Sequence, residues 1–216
     1  MMGRFNSIEK TLSTAQLILD GLLANPELIK VTTPYGYHKA HIRKEKAQLE
    51  HTLMLFNAKT DCIQEKKQAT RRLNTARTEL REVYLRHSGI LRAFYRADTA
   101  LLEELGLHRP TPKAWDRLQT QVQRFYAKAH TLREETTAFP LRADEMEQAQ
   151  SMIGVIAEAR VQQMRKKGEA ERTTQLQNEA LATLRQWVQD FLVIAKIAFR
   201  HDPQQLEALG IVVKAA

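Results

Sequence analysis

One cysteine, Cys62, stands in 216 residues. This excludes an internal disulfide and any zinc site assembled from several thiolates. Glycine is scarce, with 8 residues, and each is isolated, so neither a phosphate-binding loop nor a dinucleotide fingerprint can form. Proline is rarer still at 6, and Phe, Trp and Tyr together make up only 6% of the chain. No stretch reaches the 18 or so uncharged apolar residues that a bilayer span needs. The opening Met1 to Ser7 turns polar before the apolar run of a signal peptide develops, so the expected location is cytoplasmic, with no membrane role. What remains is rich in Ala, Leu, Gln, Glu, Lys and Arg, and 43% of the residues are hydrophobic. That is the composition of a helical protein with a core.

Positive charge is in excess, 33 Lys and Arg against 25 Asp and Glu. It is concentrated in residues 37 to 87, with 12 basic and 6 acidic groups, and in residues 160 to 200, with 8 and 4. Residues 138 to 159 run the other way, with 1 basic and 4 acidic.

Periodicity and punctuation predict the elements. A first helix is expected over 7–24, with Asn6 as its cap and Glu9 at capping-box spacing. Residues 25–36, holding Pro26, Pro34 and Gly36, read as a linker with a short turn at 27–30. Tyr37 to Leu105 contains no proline and predicts one very long helix. Its apolar positions, Leu49, Leu53, Phe56 and Ile63, lapse through Glu65-Lys66-Lys67-Gln68 and resume, offset, from Leu73. Thr111-Pro112 predicts the start of the next helix, which carries Trp115, Leu118, Val122, Phe125, Ala129 and Leu132. A second very long helix is expected over about 142–200, apolar at both ends and polar from Arg165 to Asn178. A short capped helix from Asp202-Pro203 to Gly210 follows.

The expected fold class is therefore all-α. Two long antiparallel helices form a coiled-coil waist between small bundles: residues 1–60 with 183–216 at one end, 61–87 with 161–182 as the waist, and 88–160 at the other end. The alternative is a compact four-helix bundle with breaks at Gly89 and Gly168.

Chemistry has little footing. None of the seven histidines follows a Glu by three residues, as di-iron bundles require. His38, His41 and Glu45 form the single metal-like spacing, on one face of a helix start. Neighbouring Lys39, Arg43, Lys44 and Lys46 would repel a cation there, so a solvated face is the expectation. Cys62 lies beside Asp61 and Glu65, which disfavour a thiolate nucleophile. Trp115, Phe125, Tyr126, Met152, Trp187 and Phe191 fit core packing better than a cofactor cavity, so neither cofactor nor small-molecule substrate is expected.

The basic residues Lys66, Lys67, Arg71, Arg72, Arg165, Lys166 and Lys167 would meet at the waist, where they could follow a phosphate backbone. Acidic residues are interleaved among them, and no aromatic stands between 57 and 83 to stack on bases. The leading expectation is a non-enzymatic scaffold or protein-protein interaction protein that self-associates or takes a protein partner. Sequence-nonspecific nucleic-acid binding is the alternative.

Overall fold

The structure, a computed structural model, describes residues 2–136 and 138–211, with side chains from Ser7 onward. It is 85% helical, and no strand occurs among the described residues. The elements in chain order are α1 (Met2–Ala24), α2 (Pro26–Thr32), a 3-10 turn (Thr33–Tyr35), α3 (Lys39–Phe94), α4 (Thr99–Glu104), α5 (Trp115–Glu135), α6 (Ala143–Ala198) and a closing 3-10 turn (Pro203–Leu209). The long helices α3 and α6, 56 residues each, pack against each other with the short helices flanking them.

Both long helices run unbroken through their glycines. Gly89 lies inside α3 and Gly168 inside α6, each with open space where a Cβ would stand. A helical glycine costs about 1 kcal/mol relative to alanine, too little to break a helix whose neighbouring turns are packed. The breaks on which the compact alternative depended are therefore absent.

Residues 25–36, expected as a linker, instead form α2 and a 3-10 turn, because the Asn25 side chain caps α2 by accepting from the Glu27 N–H. The closing helix is a 3-10 turn without a side-chain cap from Asp202. Three further boundaries differ, each for a local reason. Helix α1 starts at Met2, so Asn6 lies within the helix and not at its cap; the Asn6 side chain is outside the described residues. The helix expected to reach Leu105 stops at Phe94. The chain turns through Tyr95, and the Asp98 carboxylate accepts from the Leu101 N–H at 2.9 Å to start α4 afresh. Helix α5 begins at Trp115, behind Ala114, with no side-chain cap, and Thr111-Pro112 remains in the loop before it. That loop is held from α3: Arg92 donates through Nε to the Leu107 carbonyl (3.1 Å) and through Nη2 to the Arg109 carbonyl (3.2 Å), while Leu105 and Leu107 are buried.

The chain divides into two compact units, Met1–Gln64 with Gly168–Ala216, and Glu65–Lys167. Both boundaries fall inside the segment expected as a waist, 61–87 with 161–182, after residues 64 and 167.

In the first unit, Ala15, Ile18, Leu19 and Leu22 of α1 pack with Ile42 and Leu49 of α3 and with Leu184, Val188, Phe191 and Ala195 of α6. The four positions on α1 recur at steps of 3, 1 and 3, which keeps them on one stripe. Gly21 lets the closing turn come in against α1: a Cβ there would stand 2.8 Å from the Ala208 carbonyl oxygen. Further along, polar pairs join α3 to α6, with Lys59 Nζ donating to Gln177 Oε1 at 2.7 Å and Cys62 Sγ lying 3.6 Å from Thr173 Oγ1.

In the second unit, α5 lays Leu118, Val122, Phe125, Tyr126 and Ala129 onto Leu80, Tyr84 and Leu91 of α3 and Met146, Ala149 and Ile156 of α6.

Candidate functional site

Of the three residues at the metal-like spacing, expected to form a solvated face, both histidines make hydrogen bonds. His38 Nδ1 accepts from the His41 backbone N–H at 3.3 Å, which caps the start of α3. His41 Nε2 accepts from the Trp187 indole N–H at 3.2 Å, and its ring stands edge-on to Tyr37. Glu45 is almost fully buried. The solvated-face expectation thus gives way at His41, which Trp187 of α6 covers, and at Glu45, which is buried. Among the described residues no group of three His, Cys, Asp or Glu side chains is placed to hold a metal ion.

All seven basic candidates fall in the second unit, on different sides of their helices. Arg72 and Lys166 line one groove between α3 and α6, of about 480 Å³, together with Glu65, Gln68, Ala69, Ala76, Val155, Glu158, Ala159 and Gln162. At about 100° per residue, Lys67 and Arg71 point well away from the α3 positions that line this groove, and Lys167 likewise on α6. Lys66 is half-buried. Within the groove the charges balance, Glu65 and Glu158 against Arg72 and Lys166. Lys166 Nζ bonds Glu65 Oε2 at 2.7 Å.

A second groove of about 340 Å³ is lined by Glu79, Val83 and Arg86 of α3 and Glu145, Gln148, Ala149 and Met152 of α6. The two form one register. On α3 the lining residues 65, 69, 72, 76, 79, 83 and 86 advance by alternate steps of 4 and 3, with Gln68 beside them. On α6 the residues 145, 148, 152, 155, 159, 162 and 166 advance by 3 and 4, with Ala149 and Glu158 beside them. Such alternation keeps α3 and α6 facing each other; Ala76, Val83, Met152 and Ala159 also pack against the core of the second unit, and no residue of α5 lines either groove. Its floor consists of small or half-buried apolar residues, Ala69, Ala76, Val83, Met152 and Ala159, and Val155 on its wall is 55% exposed.

The sequence reading passed over this face because its α3 row holds mostly charges and alanines, not large apolar residues. The signal was present as the seven-residue repeats Ala69, Ala76, Val83 and Glu65, Arg72, Glu79, Arg86.

Reasoning from the sequence also missed a buried polar pair. His87 is fully buried, and its Nδ1 lies 3.0 Å from the Tyr126 hydroxyl. Its Nε2 faces Arg86 Nη2 at 3.4 Å and Glu145 Oε2 at 3.8 Å. A guanidinium only donates, so Nε2 is the acceptor and Nδ1–H donates to Tyr126. Burial pushes the His87 pKa down, Arg86 adds to this, and Glu145 opposes it. Burial likewise pushes the Tyr126 pKa up. At neutral pH both groups are uncharged, and their bond fixes the register of α5 on α3.

No helix among the described residues is long and apolar enough to cross a membrane. No family model, no curated protein and no solved structure matches the chain, so what it does has to follow from its own residues.

Proposed function

We propose that the chain is a cytoplasmic, non-enzymatic helical scaffold or interaction protein, and that the open groove face of α3 and α6 in its second unit is the docking surface for a partner helix. The observation that carries this reading is the register of that face. Two helices present a continuous row at steps of 3 and 4, with an alanine-rich floor and charged flanks, and α5 does not cover it. An amphipathic helix laid in such a groove buries its apolar stripe on the floor and pairs its flanking charges with the rims. Small floor residues let the backbones approach closely. Nucleic acid binding has less support, because the groove charges balance and Lys67, Arg71 and Lys167 turn elsewhere.

The test places a photo-crosslinking amino acid at Ala69, Ala76 or Val155 and, as controls, at Lys67 and Arg71. Protein adducts confined to the three groove positions support docking. Equal adducts at the control positions, no protein adducts, or adducts to nucleic acid would overturn it.

A further inference from the structure

The α3 rim of the groove carries four charges at seven-residue spacing, Glu65, Arg72, Glu79 and Arg86, and all four line the open face. Their signs alternate: negative, positive, negative, positive. Seven residues of helix advance about 10.5 Å, so the row is a ruler of evenly spaced alternating charge. Read in the opposite direction it runs positive, negative, positive, negative, which is the complement of itself. A row that complements its own reverse is what a two-fold, antiparallel interface needs, since there each residue i that meets j is matched by j meeting i.

We infer that the occupant of the groove is a second copy of this chain, with the two α3 segments antiparallel across the open face, Glu65 opposite Arg86 and Arg72 opposite Glu79. This rests on the docking reading above and names its partner.

Two further features agree with that register. The midpoint of residues 65 and 86 falls between Thr75 and Ala76, so the two-fold axis passes beside Ala76, a small side chain on the groove floor, where the two helices must come closest. The side chains of Arg72 and Glu79 make no hydrogen bond or ion pair within the chain among the described residues. In a symmetric dimer Arg72 and Glu79 pair twice nearest the axis, and Glu65, which also bonds Lys166 within the chain, pairs twice with Arg86 further out.

A parallel arrangement with the same rows in register would set Glu65 against Glu65 and Arg72 against Arg72, placing like charge on like at every step. The alternating signs therefore select orientation as well as partner, in the way flanking charges do in helix pairs.

The experiment measures the solution mass of the full chain by light scattering or sedimentation at micromolar concentration. It uses the wild type, the reversal R72E and the double exchange R72E/E79R, with helix content followed by circular dichroism. The wild type is expected at twice 24.9 kDa. R72E, retaining its helix content, is expected near the monomer mass, with the dissociation constant raised about a hundredfold or more, because like charges then meet twice. R72E/E79R restores opposite signs at both central pairs and should return the dimer. A Cys62→Ser, Ala76→Cys variant should form a disulfide-linked dimer under mild oxidation, and Lys67→Cys in the same background should not.

A wild type at the monomer mass would overturn the second-copy partner. So would a dimer indifferent to R72E, or a double exchange no better than the single. Groove-confined photo-crosslinks to a different protein, with the chain itself monomeric, would overturn the second copy while leaving the docking surface standing. Absence of both dimer and crosslinks would remove both.

Discussion

The two units use the same pair of helices and finish them differently. In the first unit, the face of α3 and α6 that carries Ile42, Leu49, Leu184 and Phe191 is closed by α1, α2 and the final turn. Where the apolar supply runs out, polar pairs such as Lys59 with Gln177 bridge α3 to α6. In the second unit, α5 closes one face, with a fully buried His87–Tyr126 bond inside its core, and the face bearing Ala69, Ala76 and Val83 stays open. The lesson is that a continuous helix does not impose one environment along its length. The size and charge of the residues on each face decide, turn by turn, whether the protein closes that face itself.

The sharpest break of this comparison should come from the first core. Phe191 is fully buried and stacks on Trp187 at 5.5 Å between ring centroids. Phe191→Ala removes that contact and leaves a cavity, an expected loss of about 3–5 kcal/mol, read by chemical denaturation. A loss under about 1 kcal/mol would mean that the first unit is packed far more loosely than its burial indicates.

The next effect is specific to the second unit. Tyr126→Phe keeps the ring but leaves the His87 Nδ1–H without an acceptor in a dry core, at an expected cost of about 1–3 kcal/mol. The same site sets a pH dependence. The native His87 pKa is lowered, so the unfolded chain takes up a proton that the native fold refuses. Stability from neutral His87 is complete above about pH 6.5, the ordinary histidine value, and is lost as pH falls through the lower native value. Denaturation midpoints should therefore drop below about pH 6.5, and His87→Gln should flatten that drop. An identical slope in the variant would show that His87 is not the group responsible.

A smaller effect returns to the first unit. Gly21→Ala would gain about 1 kcal/mol of helix propensity, but its Cβ would stand 2.8 Å from the Ala208 carbonyl oxygen. Backbone cannot swing away as a side chain can, so a net loss of about 1–2 kcal/mol is expected from overpacking, measured by thermal melting. Net stabilisation would mean that the closing turn does not rest on α1.

How much of this was legible follows from where the signal lay. Large apolar residues at helical spacing, such as Leu118, Val122, Phe125 and Ala129 in α5, announced their faces because burial is their only use. The absence of proline foretold the length of α6 and most of α3. The end of α3 was hidden, since Asp98 is an adequate cap with neither proline nor glycine beside it to mark the turn. The open groove was hidden too, because alanines between charges look like solvated helix until a neighbouring helix supplies the second wall. His87 was invisible as a buried group. Its partner Tyr126 is 39 residues away, and only tertiary packing brings the two together.

The smallest expected effect compares two adjacent histidines that the sequence treats as equals. His38 is exposed and its ring bonds only the backbone N–H at the start of α3, where water can replace it, so His38→Ala should cost no more than about 0.5–1 kcal/mol as a lost cap. His41 is half-buried and accepts the hydrogen bond of Trp187, a side chain that is only 7% exposed. Removing the acceptor leaves the indole N–H searching for water at the edge of a core. A fully sealed donor would cost up to about 3 kcal/mol, but the exposed side of His41 admits solvent, so about 1 kcal/mol is the expectation. The decisive readout is Trp187 itself: its fluorescence should shift in His41→Ala and stay unchanged in His38→Ala. Equal stability losses with no difference in emission would mean that the two imidazoles are interchangeable surface groups after all, and that α6 does not close over the start of α3.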